Sequence, residues 1–206
     1  MKPLSVQKPV TSIPMRQAPS RQQDIRFIPF SQKDGKLTPD LIRPVLDLHE
    51  NEHWVEPRLV YVSNPTEVGT VYTKDELEEL YAFCKRHQLY FYIDGARLAA
   101  ALAAEEITHL TFPDMPKLCD AFYIGGTKVG AMFGEALVLV NEDFKEHFRF
   151  NMKQHGAILA KGWMIGVQFE ELFKDSLYIR LGQRSIAQMH PIKSLLKKRG
   201  IPSSVR

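Results

Sequence analysis

Short apolar runs rich in β-branched and aromatic residues recur along the chain and predict buried strands. The clearest candidates are 59–63 (LVYVS), 89–93 (LYFYI), 121–124 (AFYI) and 136–140 (ALVLV). Each is bounded by polar or glycine residues, which is typical of strands in a covered sheet. A weaker alternation at 25–30 contains a proline and predicts a short edge strand.

Helical periodicity occupies the segments between these strands. Thr73 is placed to cap a helix over 74–88, and Glu76, three residues on, completes a capping box. Further helices are predicted over 39–48, 96–105 and 141–173. Three glycines of the last segment are spaced for close helix packing: Gly156, Gly162 and Gly166. Strands that alternate with helices predict an α/β fold with a largely parallel sheet.

The composition is that of an ordinary globular protein. Of the 206 residues, 44% are hydrophobic and 25% are charged, which excludes collagen, a coiled coil and a wholly disordered chain. The apolar runs are far shorter than the roughly 18 residues that a membrane span needs. The two cysteines, Cys84 and Cys119, make no disulfide framework and are typical of reduced thiols. We therefore expect a cytoplasmic protein without a membrane segment.

The positive charge is concentrated at the two ends of the chain. The net charge is +3, yet both 1–23 and 193–206 are rich in Lys and Arg and contain no acid, so the middle is acidic. A nucleic-acid-binding domain usually carries a basic face on its folded body, and we therefore expect no nucleic-acid partner. Residues 1–24 also contain several prolines and lack the apolar core of a secretion signal, which predicts a disordered tail.

Polar and charged side chains follow three of the predicted strands. The segments are 63–66 (SNPT), 94–97 (DGAR) and 125–128 (GGTK). In open α/β sheets, ligands bind beyond the carboxyl ends of the strands. We therefore expect Asp94, Arg97 and Lys128 to converge on one crevice.

These three side chains have the chemistry of a pyridoxal phosphate site. A partly desolvated lysine is a nucleophile, a buried carboxylate needs a partner such as a protonated ring nitrogen, and arginine binds a carboxylate bidentately. Simpler interpretations stay open, with Asp94 and Arg97 as a local salt bridge and 125–128 as a turn with an exposed lysine. The order Gly-Gly-Thr-Lys does not match the nucleoside-triphosphate loop, which needs Gly-Lys before Ser or Thr.

Three motifs, in this order, resemble those of the low-specificity threonine aldolases. They are VYVSNPTEVGTVYT (60–73), YIDGARL (92–98) and FYIGGTKVG (122–130). These enzymes belong to the β-eliminating lyase group of pyridoxal phosphate enzymes, and the resemblance runs from about residue 25 to about residue 182. It implies an α/β, aspartate aminotransferase-like large domain (fold type I of these enzymes), incomplete here, with a mostly parallel sheet and flanking helices.

The resemblance assigns roles to single residues. Lys128 matches the lysine that forms a Schiff base with pyridoxal 5'-phosphate, and Asp94 matches the acid that keeps the ring nitrogen protonated. Arg97 matches the arginine near the cofactor ring and the substrate carboxylate. Thr127 is placed to hydrogen-bond the cofactor, and Lys153 stands where relatives carry an arginine near the cofactor phosphate.

The resemblance also implies a reaction and a setting. The reaction is retro-aldol cleavage of a β-hydroxy amino acid, which converts threonine to glycine and acetaldehyde. Such a carbon–carbon lyase serves threonine catabolism and glycine biosynthesis in the cytoplasm, as a homo-oligomer (a dimer or tetramer). Its substrate is a small molecule, and the sequence leaves the stereochemical preference and the catalytic base open.

A second hypothesis is a non-catalytic relative that is truncated at both ends. In the family, an N-terminal segment supplies the phosphate-binding loop and the group that stacks on the cofactor ring, and we find neither in this sequence. We divide the chain into a disordered tail (1–24), a partial cofactor-binding large domain (25–175) and a remnant of the C-terminal small domain (176–206).

The segment 49–53 (HENEH) matches the His-Glu-x-x-His pattern of zinc proteases. Pro44 and Pro57 flank it and disfavour the long helix that would place both histidines on one face. Glu67 or Glu76 could serve as a third ligand, but nothing in the sequence selects either. We therefore expect a solvated loop here and no metal site.

Overall fold

The computed structural model describes residues 27–50, 53 and 55–200. The strands are β1 (Leu59–Ser63), β2 (Tyr90–Asp94), β3 (Ala121–Gly125) and β4 (Glu135–Leu139). The helices are α1 (Pro39–Leu48), α2 (Lys74–Arg86), α3 (Leu98–Ala103), α4 (Glu105–Thr108), α5 (Phe148–Gln154), α6 (Trp163–Phe173) and α7 (Leu177–Lys198). Short 3-10 turns occupy Phe112–Lys117, Glu142–Phe144 and Lys174–Ser176. The tail predicted for residues 1–24 lies outside the described residues.

The four strands form one sheet in their sequence order. β1, β2 and β3 are parallel, with Tyr61 opposite Tyr92 and Tyr92 opposite Ala121. β4 runs antiparallel to β3, with Glu135 opposite Gly125. The mostly parallel sheet is therefore confirmed, and every strand agrees with its predicted range to within one residue at each end.

The two faces of the sheet differ in burial. One face is apolar and buried, and its side chains join those of α2 and α3 in a single core. The core residues of this face are Val60, Val62, Phe91, Ile93, Phe122 and Ile124. The other face is partly open, with Leu59, Tyr61 and Leu137 between 43% and 51% exposed. Because side chains alternate along a strand, this second face also carries Tyr92 and Tyr123.

The helix predicted after Thr73 begins as expected. The Thr73 hydroxyl accepts the Glu76 N–H at 3.3 Å, and the Glu76 carboxylate accepts the Thr73 N–H at 2.8 Å. This reciprocal capping box satisfies two backbone donors that helix geometry leaves without partners. α2 ends at Arg86, two residues before the predicted end.

α7 packs on α3 and against the end of β3. The Tyr178 hydroxyl donates to the Gly125 carbonyl at 2.9 Å, and a Cβ at Gly182 would lie 2.2 Å from the Ala99 carbonyl oxygen. A kink at Asp175, with φ of 49°, separates α6 from α7. The kink coincides with the predicted boundary at residue 175, while the division into two domains stays a prediction.

Three predicted elements differ from the structure. Residues 27–30 form no strand, and Phe27 is 62% exposed, so the alternation at 25–30 does not reflect a buried face. Residues 25 and 26 lie outside the described part. The helix predicted over 96–105 begins at Leu98, and Ala104 leaves helical geometry between α3 and α4.

The long helix predicted over 141–173 is also wrong. The structure has a 3-10 turn and the two helices α5 and α6, separated by an irregular segment at 155–162. Gly156 adopts φ of +71°, which ends a right-handed helix, and a Cβ at either Gly156 or Gly166 would meet no atom within 4 Å. Gly156 therefore marks a turn, and neither Gly156 nor Gly166 lies at a close helix contact.

Candidate active site at the carboxyl ends of the parallel strands

The carboxyl ends of the three parallel strands are joined by backbone hydrogen bonds. The Asn64 N–H donates to the Asp94 carbonyl at 2.9 Å, and the Gly125 N–H donates to the Gly95 carbonyl at 2.9 Å. The loops that follow β1, β2 and β3 therefore lie side by side at one edge of the sheet. The three polar segments singled out from the sequence follow directly from these strand ends.

Two glycines permit this close approach. A Cβ at Gly95 would lie 2.0 Å from the Tyr123 carbonyl oxygen, and one at Gly125 would lie 2.3 Å from the Ala96 carbonyl oxygen. Neither contact is compatible with a side chain. The glycines of DGAR and GGTK are therefore needed to bring the end of β2 against the end of β3.

Asp94 is the buried acid of this edge, with 6% of its surface exposed. Its Oδ1 accepts the Ala96 N–H at 2.9 Å, and its Oδ2 accepts the hydroxyl of Tyr61. Burial raises the pKa of Tyr61, and the hydrogen bond to Asp94 raises it further. Burial, and after it the neighbouring Asp94, also raises the pKa of Tyr123.

Sequence analysis did not single out Tyr61 and Tyr123, the two tyrosines that face Asp94. Tyr61, Tyr92 and Tyr123 form a ladder across the open face of the sheet. The rings of the first two stack at 5.5 Å with planes 9° apart, and the rings of the last two lie 6.5 Å apart. The available signal was a tyrosine two residues before each of the three polar segments, which places all three on the same face of successive strands.

Arg97 lies at the amino-terminal cap of α3 and pairs with the loop after β1. Its guanidinium lies 2.9 Å from the carboxylate of Glu67, a side chain that is 11% exposed. Among the described residues the structure shows no ion pair between Arg97 and Asp94, so the simple local salt bridge does not form. Sequence analysis did not single out Glu67, because its partner is 30 residues away.

Glu135, the first residue of β4, holds the loop that contains Lys128. Its carboxylate accepts the Gly126 N–H at 2.5 Å and the Thr127 hydroxyl at 3.1 Å. Thr127 and Lys128 are both exposed. The glycine-rich loop is therefore fixed on one side by Glu135, and it carries Lys128 as an exposed residue.

Asn64 contributes a buried amide to the same edge. Its Oδ1 accepts the Tyr72 N–H at 3.0 Å, which fixes the orientation of the side chain. Its Nδ2 is, in the described part of the chain, the one fully buried side-chain nitrogen or oxygen without a hydrogen-bond partner. An unpaired buried donor costs about 1–3 kcal/mol, and such groups occur where an acceptor completes the structure.

The zinc-protease pattern does not form a helical ligand pair. α1 ends at Leu48, so His49 caps the helix and His53 lies beyond it in a turn. Residues 51 and 52 lie outside the described part of the chain. No cluster of three or more His, Cys, Asp or Glu side chains able to hold a metal occurs among residues 27–50, 53 and 55–200.

No helix within these ranges is both long and apolar enough to span a membrane. Cys84 and Cys119 are buried free thiols, as expected. Burial raises the pKa of each thiol to about 12. Both residues belong to the core rather than to the candidate site.

Two proteins from Pseudomonas are similar to this chain in sequence. One is a low specificity L-threonine aldolase of Pseudomonas aeruginosa, 35% identical over 151 residues, which cover 71% of this chain and 42% of the relative. The other is a low specificity L-threonine aldolase of a Pseudomonas species, 35% identical over 155 residues, which cover 75% and 44%. The chain thus spans less than half the length of these curated relatives.

Solved structures agree with these matches. A threonine aldolase of Leishmania major is 46% identical, superimposes with a TM-score of 0.82, and is matched over 87% of this chain and 54% of its own. An L-allo-threonine aldolase assignment from Listeria monocytogenes, at 18% identity and a TM-score of 0.55, supports the fold alone. The expected aspartate aminotransferase-like α/β fold is confirmed, and the similarity does not favour the non-catalytic alternative.

The family model described as "Beta-eliminating lyase" matches residues 15–197, which include every strand and all three motifs. The match is far more than half of the chain, and it contains the whole edge on which Asp94, Arg97 and Lys128 lie. The chain therefore belongs to the beta-eliminating lyase family.

Proposed function

We propose that this chain carries the cofactor-binding portion of a pyridoxal phosphate-dependent threonine aldolase. The reaction is retro-aldol cleavage of a β-hydroxy amino acid, with threonine giving glycine and acetaldehyde. The observation that carries the proposal is the backbone-bonded junction of β1, β2 and β3, which brings the loops of Asp94, Arg97 and Lys128 to one edge. The names of the Pseudomonas and Leishmania relatives support this choice among the lyases.

The residues at this edge fit the chemistry of pyridoxal phosphate. Asp94 is a buried carboxylate that accepts hydrogen bonds from Tyr61 and from the Ala96 N–H. Because a carboxylate offers about four lone-pair sites, Asp94 can accept a further hydrogen bond. Lys128 is an exposed amine on a loop that glycines allow close to the end of β2. When bound, pyridoxal phosphate supplies the electron sink for cleavage of the carbon–carbon bond.

Each side chain then has a task that its surroundings support. The Lys128 amine would hold the cofactor, and Thr127, whose hydroxyl proton is donated to Glu135, would offer its oxygen as an acceptor beside it. Asp94 would hold the ring nitrogen in its protonated form. Arg97 orients the substrate by binding its carboxylate through two parallel hydrogen bonds, a geometry that lysine cannot reproduce.

Glu67 competes with the substrate for Arg97. The Arg97 side chain is 42% exposed, so it is partly open to solvent while its guanidinium contacts Glu67. A substrate carboxylate that reaches the guanidinium either shares it or displaces Glu67. The ion pair thus holds the guanidinium beside the loop after β1 before substrate arrives.

The proposal includes assembly with further copies of the chain. Large apolar side chains are exposed around the helices after β4, among them Met132, Phe150 and Trp163, with 86%, 75% and 67% of their surface exposed. Large exposed apolar side chains are a feature that an interface would cover. A homo-oligomer in the cytoplasm is the setting we propose.

Reconstitution with the cofactor tests the proposal. Pyridoxal phosphate is added to the purified chain, the absorbance band of the lysine-bound cofactor is recorded, and borohydride reduction followed by peptide mass spectrometry locates the modified lysine. We expect the label on Lys128, no band in Lys128→Ala, and an unchanged band in Lys161→Ala, which removes another exposed lysine. A label elsewhere, or no band at saturating cofactor, would contradict the proposal.

A further inference from the structure

The carboxylate of Asp94 lies between two phenols on the strands on either side of it. Tyr61 lies on β1 and donates to Asp94 Oδ2, and Tyr123 lies on β3, where burial and then the neighbouring Asp94 raise the pKa of its phenol. The Ala96 N–H occupies Oδ1 at 2.9 Å. The two donors bonded to this buried acid, the Tyr61 hydroxyl and the Ala96 N–H, are both neutral.

The sheet register explains why these two tyrosines face the same carboxylate. Ser63 lies opposite Asp94 on β1, so Tyr61, two residues earlier, faces the same side of the sheet. Ile93 lies opposite Phe122 on β3, so Tyr123 lies level with Asp94 on that side. The contacts therefore depend on strand pairing and not on a flexible loop.

Hydrogen bonds from neutral donors draw negative charge away from a carboxylate and lower its affinity for a further proton donor. A carboxylate has about four acceptor sites, and two of those of Asp94 are used, with the Tyr123 phenol level with a third. The remaining lone pairs of the Asp94 carboxylate therefore accept a hydrogen bond less strongly. A ring N–H that binds there is held less strongly than it would be by an acid without the phenols.

We propose that Tyr61 and Tyr123 act as positioning residues that set how strongly Asp94 holds the ring proton of the bound cofactor. This inference rests on the proposed function, because it needs pyridoxal phosphate at Asp94. Tyr61 orients the carboxylate from β1 and Tyr123 faces it from β3, and together they limit its charge density. The same bonds satisfy the buried acid before the cofactor arrives.

The chain offers a matched control in Tyr92. Its ring stacks on Tyr61 and lies beside Tyr123 in the same ladder. Its pKa is raised to about 12 by burial and by the charge of Asp94, without a hydrogen bond to that carboxylate. The charged neighbour on the far side of Tyr123 is Glu135, whose charge also raises the pKa of that phenol.

The first experiment tests the contacts without cofactor. The 13C resonance of the Asp94 carboxyl carbon is recorded at neutral pH and assigned with Asp94→Asn. We expect it to move in Tyr61→Phe and in Tyr123→Phe and to stay in place in Tyr92→Phe. Tyr61 is 44% exposed, and phenylalanine keeps the ring, so folding is preserved. An unmoved carboxyl resonance in both test variants would overturn the inference.

The second experiment uses the chain loaded with pyridoxal phosphate that carries 15N in the ring. The 15N shift of that nitrogen reports its protonation, which a purely structural role of the tyrosines would not alter. We expect each Phe variant to shift it toward the fully protonated ring, by an amount equivalent to about one pKa unit or roughly tenfold in proton affinity, and the double variant to shift it further. Tyr92→Phe leaves it unchanged.

The outcomes separate the two proposals. Uptake at Lys128 with the same 15N shift in all variants would overturn the role of the tyrosines and leave the proposed function standing. Failure of the unaltered chain to take up the cofactor would overturn the proposed function and, with it, the role of the tyrosines toward the ring. The carboxyl resonance would in that case still decide whether the phenols bond Asp94.

Discussion

The guanidinium of Arg97 lies 2.9 Å from the carboxylate of Glu67, and this pair connects the loop after β1 to the start of α3. Arg97 follows Asp94 by only three residues, yet it pairs with a residue that is 30 positions distant in the chain. The residue that we expect to bind the substrate carboxylate therefore already has an anionic partner. Substrate binding must compete with that partner.

Glu67→Gln is expected to strengthen the binding of glycine, the product of the proposed reaction, to the cofactor-loaded chain. Removing the negative charge takes away the competitor of the ligand carboxylate. The gain is about two- to fivefold in Kd, the equivalent of an exposed ion pair worth ~0.5–1 kcal/mol. Isothermal titration calorimetry measures it.

Glu56→Gln is the control for this prediction, because it removes the carboxylate of an exposed pair with Arg58 at 3.3 Å, away from the strand ends. Glycine affinity should not change in that variant. Weaker glycine binding in Glu67→Gln would mean that Glu67 positions Arg97 instead of competing for it.

Gly125→Ala is expected to destabilise the fold by at least about 1–3 kcal/mol, the usual cost of overpacking. The added Cβ would lie 2.3 Å from the Ala96 carbonyl oxygen, and backbone cannot yield as a side-chain end does. Urea denaturation followed by circular dichroism gives the free energy of unfolding. The control is Gly166→Ala in α6, where the Cβ meets no atom within 4 Å.

In the Gly166→Ala control, the free energy of unfolding is expected to rise instead of fall. Alanine is the better helix former, so Gly166→Ala should raise the free energy of unfolding by up to about 1 kcal/mol. Equal stability of the two variants would refute the close junction between the ends of β2 and β3.

Thr73→Ala is expected to lower the free energy of unfolding by about 1 kcal/mol, because it removes the side-chain half of the capping box of α2. Thr38 precedes α1 in the same way but makes no side-chain capping bond. Thr38→Ala should therefore change stability by less than about 0.5 kcal/mol. Thermal and urea melts of both variants test the difference, and a larger loss in Thr38→Ala would be inconsistent with the observed caps.

Asp114 is expected to make stability depend on acid pH. The hydroxyl of Thr111 and then the ammonium of Lys74, at 2.9 Å, hold the pKa of this carboxyl well below its ordinary 3.8. A carboxyl whose pKa is lower in the folded state stabilises the fold above the unfolded-state pKa. That contribution is lost as the pH falls below about 4 toward the folded-state pKa.

Asp114→Asn removes this component, so its free energy of unfolding should fall less steeply than that of the unaltered chain between pH 4 and pH 2. Urea denaturation at several pH values measures both slopes. Adding Thr111→Val to Asp114→Asn should not change the pH dependence of the free energy of unfolding further, because the Asp114 carboxylate to which Thr111 donates is already absent. Parallel slopes for the unaltered chain and Asp114→Asn would argue against the bond network.

The amino-acid sequence by itself determined the local elements and the kinds of side chain at the strand ends. β1 occupies the predicted 59–63, and α2 begins at its predicted cap, because apolar alternation and capping depend on neighbours within a few residues. The motifs placed Asp94, Arg97 and Lys128 after strands, which in a parallel sheet means one edge. The long helix failed because Gly156 adopts a left-handed turn that helical periodicity alone does not reveal.

Only the tertiary structure decided which side chains meet. The bond from Tyr61 to Asp94 spans 33 residues, and Arg97 pairs with Glu67 in preference to its near neighbour Asp94. Glu135 reaches back to the Lys128 loop because β4 turns antiparallel to β3. Such contacts follow from strand register and the reach of side chains between elements, and both arise only when the whole sheet is assembled, since no local pattern encodes the partner of a residue on another strand.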